Sequence, residues 1–329
     1  MLWMCAWLVT YVAIAFALTP QGFSALFAQY TATLRLNFPY LVVPVVALGI
    51  ALRIRSHDMT SSLKYLRGRL PMLAVVPIGL LLGFSAYTTI KVMIPDIVPF
   101  HADPWAAELD GMLHGAAPWK WAHAVFPDSL AEELAFVYGR VWFVYWIGTP
   151  LYVALWFRPE LIRQYFWAFL MTLFICGSLL ATIFSSVGPI YHDHFFGGDE
   201  FRGLTNRLEE MGGLDSVRVY ADYLLDAYDS KASTFGTGIS AIPSMHVAVV
   251  VLNAWLFSQV SRIAGILAWA FALLVQFGSV YTGWHYAIDG YVSAIAVSLI
   301  WVIVKRAHGE RLAFRPAREK GCLTIGEYS

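Results

Sequence analysis

Eight stretches of this 329-residue chain stay apolar over lengths that suit a bilayer: about 2–18, 37–53, 71–93, 134–157, 163–187, 243–261, 263–282 and 284–304. A hydrocarbon core roughly 30 Å thick is crossed by about 20 apolar residues in a helix. Lipid offers no partner to a bare N–H or C=O, so runs of this kind fold as helices. The expected fold is therefore all-α, a polytopic membrane bundle of about eight transmembrane helices. Composition agrees, since only 13% of residues are charged, against roughly 25% in a soluble domain. No basic residue precedes the first run, which is read as an uncleaved span and not as a signal peptide.

Basic residues sort by loop. The stretch 53–69 holds five of them against the single acid Asp58, and 305–320 holds six. Arg158, Arg163 and Arg262 occupy two further links on the same side. The alternate loops are acidic: 94–133 has seven acids and one lysine, and 188–242 has nine acids and four basic residues. The positive-inside rule places the basic loops and both termini in the cytoplasm and the two long acidic loops outside. The resulting division is 1–70, two N-terminal spans with a basic cytoplasmic loop; 71–304, a six-helix core with outward cap loops; and 305–329, a basic cytoplasmic tail. In the first cap loop, Asp103-Pro104 is read as an N-cap with proline at the first helical position. Trp105, Leu109, Met112 and Leu113 then share one face of a short interfacial helix. Ser129-x-x-Glu132 is read as a capping box, and 188–242 as an irregular cap. Cys5, Cys176 and Cys322 form no redox or metal-ligand pattern.

Against this apolar background the polar residues at the outer threshold stand out. AIPSMH (241–246) opens the sixth span, and GWHYAIDG (283–290) opens the eighth. The alternating topology brings His246, His285 and Asp289 to one level of one leaflet. His285 and Asp289 are four residues apart, hence one helical turn. A carboxylate bonded to one ring nitrogen fixes the tautomer and leaves the other as a nucleophile. Pro243 suits a first helical turn, whose unsatisfied N–H groups near Ser244 favour a phosphate. Ser244 adds a hydroxyl, and His246 is placed to give or take a proton. A single histidine near an interface is commonly just hydrated. Three ionisable groups converging within a membrane are costly to keep and mark a functional site.

PSMH followed by GWHYAID resembles the motifs P-S-x-H and S-R-x5-H-x3-D of the type 2 phosphatidic acid phosphatase superfamily. FGTGISAIPSMH is most similar to its branch of inositol phosphorylceramide synthases and their bacterial relatives. The resemblance implies His285 as the nucleophile of a phosphohistidine intermediate, Asp289 as its orienter and His246 as acid and base. Ser244 would help to hold the phosphoryl group. It implies a membrane phospholipid donor, a lipid alcohol or water as acceptor, and neither cofactor nor metal; no nucleic acid is expected. It also implies a bacterial inner membrane with the site on the extracytoplasmic face. Two departures bear on the phosphate. Ser279 stands where the third motif has arginine, and SSVGPIYH stands where the first motif, K-x6-R-P, is expected. Lys91-x6-Val98-Pro99 has that spacing but comes two spans early and is read as coincidence. Replacement cations are sought in Arg140 and Lys91, and secondarily in Arg202, Arg207 and Lys231. His192 and His194 in YHDHF are read as solvated loop residues. Two other classes were weighed: a transporter or proton relay titrating His246, His285 and Asp289, and an intramembrane protease using Ser240.

Overall fold

The computed structural model describes residues 2–55 and 57–307, and it is helical with no strand among them. Cys322 and most of the basic tail lie outside the described residues. Helices α1 (Leu2–Leu18) and α2 (Pro20–Arg53) form a hairpin, followed by α3 (Met59–Arg69) and α4 (Met72–Ile97). Next come α5 (Asp103–His114) and α6 (Pro118–Val125). Helix α7 (Ala131–Phe136) continues through a π-helical turn, Val137–Val141, into α8 (Trp142–Trp156). Helix α9 (Pro159–Phe174) likewise passes through Ile175–Leu180 into α10 (Ala181–Ile183). The cap helices α11 (Pro189–Phe196), α12 (Arg202–Glu210) and α13 (Asp215–Asp229) precede α14 (Met245–Phe257), α15 (Arg262–Tyr281) and α16 (Ala287–Ala307).

The chain is an integral membrane protein built as a helical bundle. Pro20–Arg53, Met72–Ile97, Pro159–Ile183, Arg262–Tyr281 and Ala287–Ala307 are long and apolar enough to cross a bilayer, and Leu2–Leu18 and Met245–Phe257 are apolar but shorter. Helix α14 forms the spine, and ten of its thirteen residues are buried. Its neighbours leave large side chains such as Leu267, Leu273, Ile295 and Leu299 exposed, as a lipid-facing surface requires.

Four local expectations are corrected. Helix α2 begins not near residue 37 but at Pro20, where the Thr19 hydroxyl accepts from the Gly22 N–H. Polar Gln21, Ser24 and Gln29 dilute the hydropathy of this first half without breaking the helix. Asp103 does not cap α5; that place belongs to Ala102, and the Asp103 carboxylate is drawn away to another loop. The capping box at Ser129 is absent: a 3-10 turn, Asp128–Leu130, precedes α7, and no side chain caps it. The second cap loop is three helices. The face of α12 bearing Leu204 and Leu208 is buried, as is that of α13 bearing Val217, Ala221 and Leu224. Glycine and aspartate content hid the amphipathic periodicity that makes these segments helical.

The α5 helix follows its expected amphipathic pattern. Trp105, Met112 and Leu113 are exposed, while Asp103, Ala106, Ala107 and Asp110 are buried. Two carboxylates thus sit on its inward face, over the mouth of the bundle.

Candidate active site

Three loops meet beneath the cap: 184–188 after α10, 235–244 before α14, and 282–286 before α16. Ser186 accepts at its carbonyl from the Ala241 N–H (3.1 Å) and at its hydroxyl from the Ile242 N–H (2.9 Å). The Ile190 N–H donates to the Gly283 carbonyl at 2.9 Å. Gly188, at φ +88°, lies so close to the third loop that an added Cβ would meet the Trp284 carbonyl oxygen at 2.4 Å. Only glycine satisfies both that conformation and that approach. SSVGP is therefore the brace between the two histidine loops.

Ser244, not Pro243, begins α14. Ser244 is the N-cap, its hydroxyl accepting from the Val247 N–H at 3.4 Å; Pro243 lies one residue earlier, outside the first turn. The Ser244 N–H donates to the Asp289 carbonyl at 3.3 Å. The Ser293 hydroxyl reaches the carbonyls of both Ser244 and Asp289, at 2.8 and 2.7 Å. These bonds zip the first turns of α14 and α16 together and set the relative height of His246 and His285.

His285 Nδ1 and Asp289 Oδ2 are 3.1 Å apart. The same oxygen accepts from the Tyr286 N–H at 3.1 Å, and the His285 N–H donates to the Ser279 carbonyl at 3.2 Å. Both side chains are buried, Asp289 completely. A carboxylate on Nδ1–H leaves the lone pair on Nε2. The His246 ring faces that of His285 across 6.2 Å between centroids. It is held flat between Tyr138 at 4.4 Å and Trp142 at 3.8 Å. The Trp142 indole N–H also donates to the His246 carbonyl at 3.0 Å. The π-helical turn between α7 and α8 aims both aromatic rings at this imidazole. Such turns frequently occur at functional sites. Two imidazoles, one oriented by a buried carboxylate and one clamped by aromatic rings, can act on a bound electrophile as nucleophile and as proton donor to its leaving group. The model of the PAP2 superfamily matches residues 108–303, more than half of the chain.

The chain belongs to the PAP2 superfamily. Members of the PAP2 superfamily are phosphatases and phosphotransferases acting on lipid phosphates, and this protein is an enzyme of that kind. No curated protein and no solved structure matches the chain.

A PAP2 enzyme needs positive charge near the phosphoryl oxygens, and the candidate cations divide sharply. Lys91 is within electrostatic range of both His246 and His285. Its side chain packs under Gly238 (φ +91°), where an added Cβ would lie 3.0 Å from Lys91 Cγ. Among the described residues it makes no hydrogen bond or ion pair. Arg140 is exposed, two residues from both Tyr138 and Trp142, and so on the face of that turn away from His246. Arg202 pairs with Asp199 and Arg207 with Asp128, while Lys231 is exposed. Ser279 is fully buried and its hydroxyl donates to the Gln276 carbonyl at 2.7 Å. YHDHF is helical and not a loop. Its His192 is buried with Nδ1 at 3.2 Å from Asp193 Oδ1, and only His194 is exposed. Among the described residues no group of three His, Cys, Asp or Glu is placed to hold a metal ion.

Two residues reach this site from α5 that the sequence did not place there: Asp103, expected only as an N-cap, and Asp110. Asp103 accepts from the N–H groups of Val187 (2.9 Å) and Gly188 (2.8 Å) and from the Tyr286 hydroxyl (3.1 Å). Asp110 accepts from the N–H groups of Ala287 (2.6 Å) and Ile288 (3.0 Å), the first residues of α16. Burial pushes both carboxyls above the usual carboxylate range, and the N–H donors pull the other way. Their one signal in the sequence is a seven-residue spacing, two turns, on the face opposite Trp105 and Met112.

Proposed function

We propose that the protein is a lipid phosphotransferase, moving a phospho-headgroup between lipids through a phosphohistidine on His285. The observation carrying this reading is the His285–Asp289 bond facing the aromatic-clamped His246. His285 Nε2 attacks phosphorus in line with the bond to the donor lipid's oxygen. That P–O bond breaks as P–N forms, and His246 gives its proton to the departing lipid alkoxide. An acceptor alcohol then loses its proton to His246 while its oxygen attacks phosphorus, breaking P–N and freeing His285. Asp289 keeps Nδ1–H throughout. Lys91, whose charge acts on both imidazoles and which has no ion pair among the described residues, balances the charge on the phosphoryl oxygens, and Ser244 helps to hold the phosphoryl group. The positive-inside pattern supports an extracytoplasmic site. The resemblance of FGTGISAIPSMH supports inositol phosphate as the headgroup, with transfer favoured over hydrolysis.

Purified protein in liposomes with headgroup-labelled phospholipid and a panel of lipid alcohols tests the reading. The expected result is label in a new lipid that depends on the alcohol. Release of free phosphate or headgroup alone makes the enzyme a phosphatase instead, since water and an alcohol can take the same intermediate. The cation assignment has its own test. Lys91→Met lowers kcat/KM by about 10²-fold or more, and Arg140→Met stays within about 2-fold, as an exposed side chain away from the reacting atoms should. Equal losses would remove the distinction.

A further inference from the structure

The mechanism above uses the α14 and α16 termini but leaves unexplained what holds the His285 loop from outside the bundle. We infer that Asp110 and Asp103 of α5 are positioning residues for the His285–Asp289 pair; this rests on the phosphohistidine reading just given.

The geometry is specific to the reacting segment. A helix N-terminus has N–H groups without intrahelical partners. At α16 the next residues after His285 and Tyr286 supply them, and among the described residues the one side chain accepting from Ala287 and Ile288 is Asp110, 177 residues before Ala287 in sequence. Asp289 is in the same first turn. Asp110 therefore fixes the rotation and height of the turn that presents Asp289 Oδ2 to His285 Nδ1. Asp103 acts on the flanks. It binds Tyr286, adjacent to the nucleophile, and the Val187 and Gly188 N–H groups of the bracing loop. With one carboxylate two helical turns from the other, α5 grips both sides of the histidine loop at once.

Neither carboxylate is free for another task. Both are buried, and all the side-chain oxygens accept from this segment or from SSVGP. His114 adds a further tie, its Nδ1 at 2.8 Å from the Asp110 carbonyl and its Nε2 at 2.9 Å from the Tyr291 hydroxyl on α16. Asp110 and His285 also line one small hollow together with Trp119, Phe201 and Tyr286. Asp110→Ala would leave a carboxylate-sized space at the edge of that hollow.

The test compares Asp110→Asn and Asp110→Ala with the parent protein in the same liposomes. Asparagine keeps one acceptor oxygen and alanine keeps none, so the losses should be graded. Displacing a reacting group by about 1 Å costs on the order of 10²-fold in rate. We expect kcat to fall about 10-fold for asparagine and about 10²-fold for alanine, with KM within about 2-fold and unchanged monodispersity; melting falls too, more for alanine, since buried N–H groups lose their acceptor. Sodium formate, and not sodium chloride, should return part of the kcat of Asp110→Ala. No recovery of Asp110→Ala by formate, a change confined to KM, or wild-type rates in both variants each overturns the assignment. Should Asp110→Ala fail to fold, Asp110→Asn and Asp103→Asn carry the same comparison. His285→Ala separates the two readings: if it is inactive while both Asp110 variants are normal, only the positioning role is lost. If His285→Ala is active, the phosphohistidine reading itself is wrong.

Discussion

His285→Ala reduces turnover of the phospholipid donor by at least about 10⁴-fold, the scale of loss seen when a covalent nucleophile is removed. No phosphoenzyme can be trapped from the variant. The expectation follows from the site's construction. The His285 main chain is tied to Ser279, its ring to Asp289, and Asp289 in turn to the Tyr286 N–H. Among the described residues no other imidazole is hydrogen-bonded to a fully buried carboxylate. Asp289→Asn keeps the volume but replaces the carboxylate that accepts Nδ1–H. A large loss, about 10²–10⁴-fold, is expected with the label still trappable at a slow rate, as for a mis-tautomerised base. Quenching with acid and then with alkali reads the intermediate, because a phosphohistidine is acid-labile and survives base. Trappable label in His285→Ala, or acid-stable label in the parent, rules out the nucleophile.

Replacing His246 has a different signature. As general acid, it contributes about 10²–10⁴-fold when the leaving group is a lipid alkoxide. With p-nitrophenyl phosphate the leaving group departs without a proton. His246→Ala should then form phosphoenzyme within about 10-fold of the parent rate, but stall there, since the acceptor still needs a base. A burst of nitrophenol followed by slow turnover is the expected trace. Equal loss with both leaving groups would mean that His246 only packs between Tyr138 and Trp142. That aromatic clamp explains why the ring is rigid enough to act, but it performs no proton transfer by itself.

The same clamp shows what holds the site together before substrate arrives. Tyr138 Oη and Asp289 Oδ1 are buried without a hydrogen-bond partner. Each such atom costs about 1–3 kcal/mol. The cost sits beside the paired histidines, where a polar substrate group can offset it, and the rigid bundle below supplies the stability to carry it. The α14 core and the aromatic packing of Phe84, Trp146 and Phe169 lie directly beneath.

Local spacing made much of this protein legible. The apolar runs gave the helices because lipid forbids other backbone structure. The four-residue interval between His285 and Asp289 put their side chains within reach, although His285 lies in the loop just before α16 and not, as expected, on one helical face with Asp289. The exposed side of α5 was equally readable from Trp105, Met112 and Leu113, whereas Leu109, expected on the same face, is half-buried against the cap core. Other features depend on residues far apart in sequence, and no periodicity encodes them. Asp103 looks like an N-cap beside Pro104, yet its carboxylate finds Val187, Gly188 and Tyr286. Arg140 is exposed and Lys91 half-buried, a difference of rotation about helix axes, and the π-helical turn at Val137–Val141 adds rotation that regular 3.6-residue counting does not anticipate. The amino-acid order alone determined that a histidine and an aspartate lie within reach of each other at the mouth of a membrane helix, because that is a matter of near neighbours in the chain. Only the packed bundle brought the Asp103 and Asp110 carboxylates onto that segment and left Arg140 exposed, because those depend on where separate helices come to rest.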